Sequence, residues 1–125
     1  MSRKKSREYV FRLVFEKFFH EPDIEFEDED FVFNDEDKDF ANSLSGGINE
    51  HYDELIDIIS SNTVGYELER IYKVDLAILV LAVYELKFTD TPSNIVINEA
   101  VELSKKYSTD KSYSFINGVL AKVVK

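Results

Sequence analysis

The chain has 125 residues, 15 basic and 25 acidic, for a formal charge of −10, and 44% of its side chains are hydrophobic and 14% aromatic. This is one domain's length with ample material for a core, which excludes wholesale disorder. Read as one number, −10 disfavours phosphate and anionic membranes, and the lack of cysteine excludes disulfides, thiolate nucleophiles and cysteine-based zinc sites.

The amino terminus, MSRKKSREYVF, is cationic but has no apolar stretch of signal-peptide length. From Ser6 onward, Val10, Phe11, Val14, Phe15 and Phe18 recur at three- and four-residue steps, which predicts an amphipathic helix. Arg3, Lys4, Lys5 and Arg7 stand at its positive dipole end, so local helix stability does not explain them.

Between Glu21 and Asp39, eleven carboxylates face only Lys38. Asp35, Asp37 and Asp39 imitate the start of a calcium loop. Phe40 then replaces its turn glycine and Gly46 its bidentate glutamate, so a solvated connecting segment is expected, with no metal.

Asn34 is a candidate N-cap for a helix carrying Phe40, Ala41, Leu44 and Ile48, and Tyr52, Leu55, Ile56 and Ile59 extend the period. Gly46-Gly47 either breaks this run in two or lets one helix pack closely. Ser60-Ser61-Asn62 with Gly65 is the main interruption.

Tyr66, Leu68 and Ile71 open the second half as a short helical stretch, followed by KVDLAILVLAVYELKF, apolar on nearly all sides and hence a buried central helix. Its longest apolar run, Leu76 to Tyr84, is well short of the ~20 residues that span a bilayer, so a soluble, cytoplasmic protein without membrane contact is expected. Thr91-Pro92 ends that helix. INEAVELSKKY follows, with Ile97, Ala100, Val101 and Tyr107 on one side. Asp110 or Ser112 can cap the last helix, whose stripe is Phe115, Ile116, Val119, Leu120 and Val123, with Gly118 read as permitting close helix packing.

No catalytic constellation emerges. His20 and His51 lack metal-pair spacing, no serine sits in a nucleophile elbow, and no GxxxxGK loop or cofactor motif occurs. A binding module is expected, not an enzyme. Its charge is divided: residues 1–20 carry +4, residues 21–104 carry −18, and residues 105–125 carry +4. The basic segments Arg3–Arg7 and Lys105–Lys111 form one patch if the final helices pack beside the start of the first, with Tyr9, Tyr107, Tyr113 or Phe115 as stacking surfaces for bases. The competing reading makes the ends solubilising and the aromatics core.

Three ordered motifs, VDLAILVLAVYEL, INEAVELSKKY and FINGVL, resemble the bacterial NusB family, as do the stretch Tyr66 to Arg70, the combination of Phe40, Leu44 and Gly47, and the basic start running into an amphipathic helix. The resemblance covers the chain except the acidic segment 21–39. It implies an all-α fold of two small bundles side by side, about seven helices, with subdomains near 1–62 and 66–125. It also implies binding of boxA RNA in ribosomal RNA transcripts together with NusE, a small-subunit ribosomal protein, within an RNA polymerase antitermination complex. On this chain the implied RNA surface uses Arg3, Lys4, Lys5 and Arg7 with Lys111 and Phe115, and Asp75 matches a position implicated in contacting NusE. Lys111 replaces an acid found in some relatives, Val80 a common Arg, and Phe15 a frequent Tyr. Asn98-Glu99 and Asn117-Gly118 are hallmarks of the family, read first as structural, with the Asn and Glu side chains anchoring inter-helix hydrogen bonds. Whether the free protein forms a homodimer that hides its RNA face is left open. A helical protein-interaction scaffold without RNA specificity is the alternative.

Overall fold

The computed structural model describes residues 3–18, 35–63 and 68–124. Among these the chain is all-α: α1 (Arg3–Phe18), α2 (Asp35–Ser61), a 3-10 turn (Leu68–Arg70), α3 (Lys73–Phe88), α4 (Ser93–Tyr107) and α5 (Ser112–Val124). Five α-helices and one short turn thus stand where about seven helices are expected. Much of the difference lies in α2, which runs unbroken through Gly46-Gly47 and bends at His51 (φ −108°, ψ 16°). At the bend the His51 ring stacks on Phe88 of α3, centroids 4.2 Å apart, and its Nδ1 meets Glu54 Oε1, one turn on in α2, at 2.9 Å. Asn34 and the acidic residues up to that point lie outside the described residues; Asp35 to Asp39 are the first turn of α2, where carboxylates suit the helix dipole.

α3 organises the molecule. Its residues from Val74 to Glu85 are all buried, because they face neighbours on every side. α1 and α2 pack on it and on each other, and so do α4 and α5. Each fully buried Val, Leu or Ile contributes about 1.5–3 kcal/mol of transfer free energy, so this one helix carries a large part of the hydrophobic stabilisation. No described helix is long and apolar enough to cross a membrane.

Gly47 and Gly118 differ in what surrounds them. A Cβ at Gly47 would lie 1.9 Å from the Tyr84 hydroxyl oxygen, so the glycine is what lets α2 approach α3. Gly118 has open space around it. The expectation that Gly118 serves close packing is therefore corrected: it faces outward from α5, whose buried stripe is Ile116, Val119, Leu120 and Val123. Val80 and Phe15 are core residues.

Candidate nucleic-acid interface

The amino-terminal cations do not share one environment. Arg3, Lys4 and Lys5 are exposed, and Arg3 lies over the Phe40 ring with its Cζ 4.0 Å from the centroid. Arg7 is only 5% exposed. Its Nε and Nη2 donate to Glu85 Oε2 and Oε1 at 2.7 and 2.9 Å, a two-pronged pair tying α1 to α3 across 78 residues of sequence. The period held the clue, since Arg7 precedes Val10, Phe11 and Val14 by three, four and seven residues and so falls on the apolar face. The structure makes Arg7 an internal tie instead of a surface cation.

Glu8 is the next joint. It is buried, and its Oε2 accepts from Lys106 Nζ at 2.5 Å and from the Tyr107 hydroxyl at 2.6 Å, while Lys5 Nζ stands 3.8 Å from Oε1. Tyr107 in turn packs its ring against Phe11, centroids 5.0 Å apart. The two basic ends of the chain thus meet where the last turn of α4 lies beside the start of α1. Both lysines stay about half exposed. The hollow between them is mixed in charge, because Glu8, Glu99 and Glu102 line it with Lys4, Lys5 and Lys106.

Beyond Tyr107 the chain turns at Ser108 and enters α5, and here Asp75 is found. Asp75 is 5% exposed; Oδ1 accepts from Ser108 Oγ and Oδ2 from Ser112 Oγ at 2.9 Å. Burial pushes its pKa above the usual carboxylate value, and the two hydroxyl bonds oppose that rise without cancelling it. The Ser112 hydroxyl also bonds Ser108 and Thr109 at 2.8 and 2.9 Å, which ties the entry of α5 to Asp75. Asp75 borders an open hollow of about 300 Å³ lined also by Arg70, Tyr72, Lys111 and Phe115. The residues expected to face RNA, Lys111 and Phe115, and the one expected to face a protein partner therefore share one depression. Phe115 is half-buried and packs against the core; Lys111 is exposed.

The opposite flank of α5 holds a larger groove, about 580 Å³, between α4 and α5. Of the aromatic candidates, Tyr9, Tyr107 and Phe115 are packed against the core, whereas Tyr113 in this groove is 47% exposed. Asn98 and Asn117 also line it. They were expected to anchor the helices, yet both are exposed, and no side-chain hydrogen bond of either is found among the described residues. Tyr113 is one of four aromatics that the sequence offers without choosing among them; the outward turn of both asparagines was not legible there.

The NusB family model matches residues 4–125 of the chain. A relative from Lachnoclostridium phytofermentans, named Transcription antitermination protein NusB, is 42% identical, with 99% of each chain covered. Relatives of the same name from Agathobacter rectalis and Macrococcus caseolyticus are 43% and 40% identical over 98% and 100% of this chain, and 98% of each relative. The solved structure of T. maritima NusB superimposes with a TM-score of 0.86 at 32% identity, covering 99% of this chain and 91% of that one. Sequence and architecture agree from end to end: the chain belongs to the NusB family, a family of non-enzymatic transcription antitermination proteins.

Proposed function

We propose that the protein binds the boxA element of ribosomal RNA transcripts jointly with NusE and promotes read-through by RNA polymerase in the cytoplasm. The observation that carries this reading is the convergence of the two basic chain ends through Glu8, Lys106 and Tyr107. Arg3, Lys4, Lys5 and Lys111 supply phosphate contacts, and Phe115 borders the depression that receives the RNA. Arg7 contributes indirectly, by seating α1 on α3. Asp75 serves the NusE side of the same depression by holding Ser108 and Ser112, so the start of α5 is presented in one position to both partners.

Four exposed cations making phosphate contacts give a slope of about −3 in log affinity against log salt for a single strand. The test is a titration of boxA RNA, with and without NusE, at several salt concentrations. Expected are a slope of that size, a gain in affinity from NusE, and weaker binding to scrambled RNA. Equal affinity for scrambled RNA with no gain from NusE would refute the proposal and favour the scaffold reading.

A further inference from the structure

Among the described residues, the α4–α5 groove is a surface whose composition runs against that of the chain. The protein has 25 acidic residues, yet no carboxylate lines the groove. Glu99 and Glu102, the two acids of α4, line the hollow beside α1 instead, and α5 contains no acid at all. The polar lining consists of neutral groups, chiefly Asn94, Asn98 and Asn117, and a single cation, Lys105. The Lys105 ammonium lies 5.6 Å from the centre of the Tyr113 ring. Ile97 and Val101, both half-buried, complete the groove.

Two features of α5 find no explanation inside the chain. Asparagine and glycine are poor residues for a helix interior, yet Asn117-Gly118 sits there with the glycine in open space and no intrachain hydrogen bond found for the amide. Neither packing nor a described internal bond accounts for the pair. An external ligand that meets an amide accounts for Asn117, which lines the groove.

We infer that the α4–α5 groove is a nucleotide subsite, in which Tyr113 stacks on an RNA base, Lys105 contacts its phosphate, and the amides of Asn98 and Asn117 hydrogen-bond the base edge. The chemistry matches: an accessible ring is a stacking platform for any base, an amide offers one acceptor and two donors to an unpaired base, and an acid-free wall does not repel phosphate. The last turn of α4 carries Lys106 toward α1 and Lys105 toward the groove, so one strand passing over that turn engages both. The subsite rests on the RNA-binding reading and extends it to a second flank of α5.

The experiment measures affinity by fluorescence anisotropy for a labelled single-stranded RNA that carries boxA and several flanking nucleotides on each side, with NusE present. The proteins are wild type, Tyr113→Ala, Tyr113→Phe and Asn98→Ala. Expected are about tenfold weaker binding for Tyr113→Ala, wild-type affinity for Tyr113→Phe, and reduced discrimination between base variants for Asn98→Ala, all with unchanged thermal unfolding. Wild-type binding that Tyr113→Ala leaves intact overturns the subsite alone. A wild-type protein that binds no RNA overturns the functional reading and this one with it. Loss of NusE binding by Tyr113→Ala in the absence of RNA assigns the groove to protein and overturns the nucleotide subsite.

Discussion

The two ends of α3 each bury a carboxylate, and they hold it by different means. Near the carboxyl end, Glu85 is gripped by the Arg7 guanidinium through two short bonds, and the neighbouring Tyr84 fills the space that Gly47 leaves open. At the amino end, Asp75 has only two serine hydroxyls, on the edge of an open hollow. The first arrangement joins full charges in a fixed fork, which admits one geometry. The second uses neutral rotors that reorient readily. Lys111 and Phe115 lie at the second end, beside Asp75, where ties between elements can be exchanged for ties to a partner, whereas Lys4 and Lys5 lie beside Arg7 at the first.

The sharpest way to break this contrast is at Arg7. Removing one member of a buried pair strands the other, and Arg7→Ala should cost about 3–5 kcal/mol in urea unfolding. The double variant Arg7→Met/Glu85→Leu should recover most of that loss, because the stranded charge is gone. No loss in the single variant would place Arg7 back among the surface cations.

Gly47→Ala comes next. The new methyl must displace the Tyr84 ring from its stack on Phe88, and overpacking of this kind costs about 1–3 kcal/mol. Unfolding midpoints check it.

A smaller, pH-dependent effect is expected at Asp75. Its folded pKa is raised above 3.8, so between the unfolded and folded values the native state binds more protons than the unfolded chain, and stability falls as pH rises through that window. The Asp75 contribution is therefore fully present below the unfolded pKa and lost above the folded one. Asp75→Asn should remove this component, so the difference between variant and wild type should change with pH across the acid range and level off toward neutrality. A difference independent of pH would show that Asp75 titrates normally.

The smallest effect belongs to Gly118→Ala, which should raise stability by about 0.5–1 kcal/mol, since a methyl there meets nothing and the helix gains a better residue. Destabilisation would mean that the site is more crowded than it stands.

Elements defined by their own residues were legible in sequence. KVDLAILVLAVYELKF coincides with α3 because a segment apolar all round has one place to go. The stripe of α1 was equally plain. What sequence left undecided or misread depended on distant partners. Gly46-Gly47 could not be assigned without knowing that Tyr84 meets the second glycine. Arg7 looked like its cationic neighbours because Glu85 is remote in sequence, although its position on the apolar face distinguished it. Asn98 and Asn117 resembled buried anchors because helical spacing alone does not say which flank of a shared groove stays open. Lys111 and Phe115 are expected from sequence to face RNA; that Asp75 borders the same hollow required the fold.

If the proposed RNA binding holds, the Glu8 junction bears on how quickly and how firmly the strand is held. A lysine free in solvent surrenders up to about 2 kcal/mol of rotamer entropy when a ligand immobilises it. Lys106 and Tyr107 are already fastened to Glu8 in the free protein, so part of that ordering belongs to folding and not to association. Glu8 thereby acts as a template. It lowers the number of charges a phosphate meets, but those that remain are held in place before the strand arrives.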